Sequence, residues 1–175
     1  GHCEQCVTGH LSLCGEDEVN RGPEEEPRLS QDGQSLEQFA RLGSFAEMML
    51  VHEHAVVKIR EDMPSAQAAL IGCGVTTGIG AVIHTAKVEP GATVAVIGCG
   101  GIGLSTINGA AIAGASRIIA VDMVASKLEL ARKFGATDVV DASDGDAVAK
   151  VKELTGGGVH YSFEAIGLKV CAEQA

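Results

Sequence analysis

The chain has 175 residues, enough for one domain or for one domain and part of a second, and its net charge is −10. This charge argues against nucleic acids and anionic membranes as partners, since both are bound by basic surfaces. We find no stretch as apolar as a membrane span and no secretory signal, so we expect no membrane partner and a cytoplasmic location.

The first third of the chain is the more acidic part. Residues 14–35 are acidic and contain several prolines and glycines, which indicates a solvated loop. Residues 41–59 mix apolar and polar residues in a way that predicts strands. The next segment, "EDMPSAQAALIG", predicts a helix, with Asp62 and Ser65 as candidate caps beside Pro64 and with its end near Cys73.

From residue 93 onward, short apolar runs alternate with helical segments. Strands are predicted at 93–98, 116–122, 137–142 and 159–167. Helices are predicted at 102–115, 125–135 and 145–156, and the last eight residues predict a further one. This alternation is typical of an α/β fold with a doubly wound parallel sheet.

A glycine-rich loop joins the first of these strands to its helix. In "VAVIGCGGIGL", Gly98 permits a tight turn, while Gly100 and Gly101 let the backbone approach a pyrophosphate. Gly103 lets the helix pack on the strand, and the helix N-terminus offers free N–H groups to the phosphates. Asp122 follows 19 residues later, at the end of the next strand. Loop and acid together predict a dinucleotide site.

Asp122 also bears on which dinucleotide binds. A carboxylate there would accept hydrogen bonds from the ribose hydroxyls and repel a 2′-phosphate, which favours NAD over NADP. The alternative is a structural role as a polar strand end or a helix cap. The loop alone fits a dehydrogenase, a methyltransferase-like domain or a redox-sensing domain.

Three of the six cysteines, Cys3, Cys6 and Cys14, crowd the start of the chain. A secreted disulfide scaffold would be shorter and richer in cysteine, so the cluster indicates metal binding in a reducing compartment. His10 would complete a set of four ligands like that of a zinc knuckle, but the basic and aromatic surroundings of knuckles are missing. A Cys3His zinc site that includes His10 remains open.

The other cysteines and histidines have simpler interpretations. Cys73 alone would be a small buried apolar residue, a packing role is expected for Cys99, and Cys171 has no visible partner in the sequence. Polar, mostly surface roles are expected for four histidines. These are His52, His54, His84 and His160.

Several segments together resemble the zinc-containing medium-chain alcohol dehydrogenases, including their formaldehyde-oxidising relatives. They are "GCGVTTGIGAV", "AKVEPGATVAVIGCGGIG", "SRIIAVD", "KLELARKFGATDVV" and "GGVHYSFEAIG", and the similarity covers nearly all of residues 40–170. The resemblance implies a truncated NAD-binding Rossmann domain at 75–175. Residues 1–74 would then be the C-terminal part of a GroES-like catalytic domain, with a structural zinc lobe at 1–15.

The resemblance also assigns roles to single residues. Cys73 would ligate the catalytic zinc, and Thr77 would pack against the nicotinamide. The family's structural zinc pattern, C-x2-C-x2-C-x7-C, matches Cys3, Cys6 and Cys14 with its last three ligands, and the first would precede Gly1. The remaining positions implied to contact NAD are Gly101 and Ile102 at the pyrophosphate, Asp122 and Lys127 at the ribose, and Ala165 and Ile166 at the nicotinamide end.

The activity implied is zinc-dependent oxidation of a small alcohol with hydride transfer to NAD, in a dimer or tetramer. Of the catalytic zinc ligands only Cys73 is visible, and the chain starts without methionine and ends within a predicted helix. We therefore expect a fragment that is inactive alone. The alternative is a non-catalytic dinucleotide-binding protein descended from the family.

Overall fold

The computed structural model describes residues 2–10, 13–15, 25, 28–36, 38, 42–51, 56–143 and 145–175. The chain forms two compact units, Gly1–Glu61 and Asp62–Ala175. The predicted domain boundary between residues 74 and 75 stays a prediction.

The first unit contains a short helix and a hairpin. Helix α1 spans Glu4–Val7, and strands β1 (Leu29–Gln31) and β2 (Gln34–Leu36) pair antiparallel. Asp32 and Gly33 join the strands with φ of 52° and 77°, and Asp-Gly is a strong hairpin signal because it tolerates positive φ at both positions. The hairpin lies inside the predicted solvated loop. Both strands are exposed as expected, but their pairing was not predicted.

The strands predicted at 41–59 are absent from residues 42–51 and 56–60, so this prediction is wrong there. Residues 41 and 52–55 lie outside the described part of the chain. The apolar side chains that suggested strands, such as Phe45, Met48 and Val57, are exposed. A strand needs a neighbour to satisfy its backbone groups, and these residues pair with no described strand.

The second unit begins with a long helix, α2, which runs from Ser65 to Ala86. It is α-helical at Ser65–Leu70 and Thr76–Gly80, and π-helical at Ile71–Val75 and Ala81–Ala86. Pro64 occupies the N-cap position, so the predicted caps Asp62 and Ser65 are wrong. The helix also continues past Cys73, where its end was predicted.

Helix α2 is long and apolar enough to cross a membrane, with 22 residues and a mean hydropathy of 1.6. The expectation that no stretch of the sequence is as apolar as a membrane span is therefore wrong. Only 11% of its most apolar window is buried. Length and composition are the only grounds for a membrane span, and the core helix of a soluble protein passes the same test.

A four-stranded parallel sheet forms the centre of the second unit, with the order β5-β4-β3-β6. Its helices and strands alternate along the chain, which confirms the predicted fold class. The strands are β3 (Thr93–Ile97), β4 (Arg117–Asp122), β5 (Asp138–Asp141) and β6 (Tyr161–Glu164). The helices are α3 (Gly101–Ile112), α4 (Ala125–Lys133), α5 (Ala147–Thr155) and α6 (Lys169–Gln174).

Both faces of the sheet are covered. On β4, Ile118 and Ala120 pack into one core with α2, α3 and α4, whereas Ile119 and Val121 pack into a second core with α5 and α6. Such burial on both sides explains why the strands are apolar runs rather than alternating ones.

The strand order reverses beside β3. The chain proceeds from β3 to β4 and β5 on one side, then returns to place β6 on the other side of β3. In open α/β sheets, ligands bind at the carboxyl ends of the strands next to such a reversal. The loops after β3 and β6 meet at this point.

Candidate functional site

The glycine loop and the turn after β6 are in close contact. Gly98 has φ of +98°, and its N–H donates to the carbonyl of Val121 at 2.8 Å. A Cβ at position 98 would lie 2.5 Å from Cγ1 of Ile166 and 3.1 Å from the carbonyl oxygen of Ala165. Only glycine fits both the conformation and the space.

The other three glycines of the loop differ in the space around them: Gly103 is closely packed, whereas Gly100 and Gly101 face open space. A Cβ on Gly103 would lie 1.8 Å from the carbonyl oxygen of Gly98, so this residue sets the approach of α3 to β3. Gly100 and Gly101 have nothing within 4 Å of the equivalent positions. Gly100 is the N-cap of α3 and provides no side-chain cap, which leaves the first N–H groups of α3 for an anion. This open cradle fits a pyrophosphate.

Asp122 lies beside this cradle and is 9% exposed. Its Oδ2 accepts a hydrogen bond from the N–H of Cys99 at 2.8 Å, and its Oδ1 accepts one from the N–H of Val124 at 3.0 Å. Asp122 therefore does have the structural role considered as the alternative. Each carboxylate oxygen can accept a second hydrogen bond, so the structural role and ribose binding are compatible.

The side chain of Cys99 is buried, as its packing role requires. Burial and the neighbouring charge of Asp122 raise the pKa of its thiol to about 11, so the thiol stays neutral beside the phosphate cradle. Lys127 is exposed in the first turn of α4, and its charge opposes that rise. The charges of Asp122 and Lys127 thus both act on the Cys99 thiol in the glycine loop.

The nicotinamide-end residues lie at the same edge of the sheet. The N–H of Ala165 donates to the carbonyl of Ile97 at 2.9 Å, and its Cβ is 3.6 Å from the position a Gly103 Cβ would take. Ile166 is 48% exposed, and Ile102 is 42% exposed in the first turn of α3. The structure therefore brings both predicted NAD-contacting segments together.

Glu164, the last residue of β6, is a site residue that was not predicted from the sequence. Its Oε1 accepts hydrogen bonds from the N–H groups of Ile166 and Gly167, both at 2.7 Å. No rule for turns predicts this role from the sequence, because the side chains that commonly close a turn on their own backbone are the shorter ones of Asp, Asn, Ser and Thr. Glu164 thus holds the turn that touches Gly98.

Helix α2 packs closely on α3 through Gly78. A Cβ there would lie 2.6 Å from both the carbonyl oxygen of Ile102 and Cβ of Ser105. Thr77 directly precedes Gly78 in the sequence, and its side chain is exposed. Helix α2 is thereby held against the first turns of α3.

Cys73 lies in the first π-helical segment of α2, and its side chain is exposed. Such segments are frequent at functional sites because the extra residue redirects side chains. Within the described residues, Cys73 belongs to no group of three or more candidate metal ligands.

The sulfur atoms of Cys3, Cys6 and Cys14 lie within 4.8 Å of one another, and those of Cys3 and Cys6 are 3.6 Å apart. Tetrahedral zinc–thiolate bonds place sulfurs about 3.8 Å apart. The donor set thus fits three corners of a structural zinc site. His10 lies outside this group, with its Nδ1 at 3.2 Å from Oγ1 of Thr8.

Contacts within the thiol cluster shift the pKa values of Cys3 and Cys6 in opposite directions. The backbone N–H of Cys6, followed by its thiol, lowers the pKa of Cys3 to about 7. The hydrogen bond to Cys14 raises the pKa of Cys6. Cys3 is therefore the thiol of this pair that most readily supplies the thiolate a metal requires.

Among the remaining candidates, His84 is exposed on α2 and Cys171 is buried. The Nδ1 of His160 accepts a hydrogen bond from the N–H of Thr93 at 3.1 Å. His160 also lines a cavity of about 300 Å³ that includes none of the predicted site residues. His52 and His54 lie outside the described residues.

Three comparisons place the chain among known proteins. A family model described as zinc-binding dehydrogenase matches residues 101–175. Alcohol dehydrogenase class-3 of Myxine glutinosa is 42% identical over 173 residues, which is 95% of this chain and 46% of that protein. The probable S-(hydroxymethyl)glutathione dehydrogenase 1 of Schizosaccharomyces pombe is 44% identical over 170 residues, 94% of this chain and 45% of that protein.

Solved structures agree with these relatives. The alcohol dehydrogenase zinc-binding domain protein from Burkholderia ambifaria matches 99% of this chain and 49% of its own, with a TM-score of 0.85 and 36% identity. Benzyl alcohol dehydrogenase from Acinetobacter calcoaceticus matches 99% and 48%, with a TM-score of 0.81 and 36% identity. The chain spans just under half the length of these relatives. With its glycine loop, Asp122 and early thiol cluster, the chain belongs to the zinc-containing medium-chain alcohol dehydrogenase family, whose cofactors are zinc and NAD.

Proposed function

We propose that the second unit binds NAD(H), with the pyrophosphate at the Gly98–Gly103 loop and the adenosine ribose at Asp122. The observation that carries the proposal is the position of the Asp122 carboxylate, 2.8 Å from the N–H of Cys99 inside the glycine loop. A fixed negative charge there selects a ribose with free hydroxyls over one with a 2′-phosphate. Ala165 and Ile166 would then line the nicotinamide end.

The polypeptide that carries this chain would oxidise a small-molecule alcohol. Its relatives bear the names alcohol dehydrogenase and S-(hydroxymethyl)glutathione dehydrogenase, and both names describe oxidation of a hydroxyl-bearing carbon. The chemistry that bound cofactors would supply is acceptance of a hydride by NAD and polarisation of the alcohol oxygen by zinc. The residues of this chain would bind and orient the cofactor and the metal: the glycine loop would fix the dinucleotide, and Cys73 would supply one ligand of the catalytic zinc.

The isolated 175 residues would bind the dinucleotide without turning over an alcohol. Catalytic zinc sites use three protein ligands, and only the Cys73 thiol of such a set is identified in this chain. The Cys3, Cys6 and Cys14 cluster would hold a separate structural zinc. Primary alcohols, aromatic alcohols and thiol adducts of formaldehyde are all compatible substrates.

A non-catalytic dinucleotide binder is the second candidate. It would need the glycine loop and Asp122 but no thiols placed to hold a metal. Zinc content per full-length polypeptide separates the two: two zinc ions for the enzyme, and one or none for the binder. Cys73 together with three sulfurs within 4.8 Å of one another favours the enzyme, because a chain without metal chemistry has no need to keep thiols at both places.

Location and assembly complete the proposal. All six cysteines are free thiols, which suits the reducing cytoplasm. We expect a dimer or tetramer of the full-length polypeptide. Cell fractionation and light scattering on a sizing column test these points.

The proposed cofactor is tested by titrating the chain with NADH and NADPH, and tight binding of NADPH alone would contradict it.

A further inference from the structure

We propose that Glu164 is a positioning residue for the nicotinamide half of the cofactor. The inference rests on the proposed function, because it takes NAD(H) as the ligand of the glycine loop. Glu164 itself would not touch the cofactor. It would act by holding the Ala165–Gly167 turn in the conformation that closes the nicotinamide end of the site.

The geometry at the end of β6 supports this role. Glu164 is paired with Ile97, the last residue of β3, so it stands at the edge of the sheet next to the glycine loop. Its Oε1 accepts both the N–H of Ile166 and the N–H of Gly167 at 2.7 Å. These bonds to an ionised carboxylate are stronger than neutral ones, and one oxygen atom fixes two successive peptide groups.

The turn that Glu164 holds is in contact with the phosphate loop. The carbonyl oxygen of Ala165 and Cγ1 of Ile166 are the atoms that leave no space for a Cβ at Gly98. The turn also lies on the β6 side of the strand-order reversal, whereas Asp122 lies on the β4 side. A dinucleotide that crosses the reversal with its ribose at Asp122 brings its other half to this turn.

The consequence is a selective effect on one half of the ligand. Without the carboxylate, the turn samples other conformations, and the fraction of molecules ready to receive the nicotinamide falls. The adenosine and pyrophosphate contacts of the glycine loop and Asp122 stay in place. NADH should therefore bind more weakly, whereas ADP-ribose, which lacks the nicotinamide, should not.

The test compares the whole chain with Glu164→Ala, Glu164→Gln and the matched control Glu153→Ala, an exposed glutamate on α5. Calorimetry measures Kd for NADH and for ADP-ribose. NADH is used because its nicotinamide ring is uncharged, so attraction to a carboxylate does not contribute. We expect E164A to weaken NADH about tenfold and ADP-ribose less than about twofold. E164Q keeps an oxygen that accepts both N–H groups and should stay within about twofold of the wild type, as should E153A.

Hydrogen exchange gives a readout that needs no ligand. The amides of Ile166 and Gly167 should exchange faster in E164A than in the wild type, and E164Q should restore protection. The inference is overturned if E164A weakens the binding of NADH and ADP-ribose equally, or weakens neither. It is also overturned if the exchange rates of both amides are unchanged in E164A, or if E164Q behaves like E164A. If the wild type binds neither ligand, the proposed function fails, and the inference fails with it.

Discussion

The carboxylate of Asp122 accepts a hydrogen bond from the backbone N–H of Cys99, 23 residues earlier, at 2.8 Å. This bond ties the end of β4 to the glycine loop that follows β3. The same side chain accepts the N–H of Val124, so one residue orders two loops at the proposed cofactor site. Its structural role and its proposed role in ribose binding should therefore be lost together when it is replaced.

Asp122→Asn is expected to weaken NADH binding about tenfold and to reduce the preference for NADH over NADPH. The amide lacks the negative charge that repels a 2′-phosphate, and it has only one accepting oxygen where the carboxylate uses two. Competition titrations with both cofactors measure the change. Asp146→Asn is the control, because Asp146 also accepts a backbone N–H, that of Ala149, at the start of α5. Equal effects of the two variants on NADH binding would contradict the role of Asp122.

Gly101→Ala and Gly103→Ala should separate binding from folding. A Cβ at Gly103 meets the backbone oxygen of Gly98 at 1.8 Å, so the variant should lose about 3 kcal/mol of unfolding free energy or more. A Cβ at Gly101 meets nothing within 4 Å, so stability should change by less than about 0.5 kcal/mol. NADH should still bind more weakly to G101A, because the methyl group enters the cradle. Denaturant unfolding and NADH titration check both, and a stable G103A with normal affinity would refute the packing argument.

The thiol cluster should bind one zinc ion per chain. Cys14→Ser removes one of three sulfurs within 4.8 Å of one another and should lower zinc affinity by about 10- to 100-fold or more. Cys171→Ser is the control, since Cys171 is buried in the second unit, outside the cluster. Metal analysis after dialysis against a competing chelator measures occupancy. Equal zinc retention by the wild type and C14S would rule out the cluster as the site.

Acid stability should depend on the ion pair between Arg117 and Asp138. Nε of Arg117 lies 2.8 Å from Oδ2 of Asp138, and this hydrogen bond lowers the pKa of the carboxyl to about 2, with a further contribution from Thr137. The folded-state pKa lies below the unfolded value, so the stabilisation is complete above about pH 4. It is lost as the pH falls from about 4 to 2, and partial exposure limits it to about 1–2 kcal/mol.

Asp138→Asn measures this contribution directly. The variant should be less stable than the wild type at pH 6, and the difference should shrink between pH 4 and pH 2. Urea unfolding at several pH values gives both curves. A difference that stays constant over this range would show that Asp138 does not titrate as the ion pair requires.

The strands and helices of the second unit could be predicted well because each follows from the pattern of a short stretch of neighbouring residues. A parallel strand covered on both faces is an apolar run, as at Val94–Ile97, and the close approach of α3 to β3 requires glycine at position 103. Strand–helix alternation then leaves few topologies. The continuous α2 helix was harder, because the glycines around Cys73 suggested an end, whereas π-helical geometry carries the helix past them.

The features that could not be predicted depend on contacts between residues that are far apart in the sequence. The strands predicted at 41–59 did not form among the described residues, because a pattern specifies a strand but not its partner. The Asp32-Gly33 hairpin had a visible signal that the acidic composition around it obscured. The role of Glu164 could not be predicted from spacing, because it depends on the contact of its turn with Gly98.

The NAD site is tested most directly by a calorimetric titration of the 175-residue chain with NADH, followed by displacement with ADP-ribose and with NADPH. We expect saturable binding of one NADH per chain, full displacement by ADP-ribose, and weak competition by NADPH. Absence of saturable binding by a folded chain, or equal competition by NADPH, would contradict the assignment of the glycine loop and Asp122 as an NAD site.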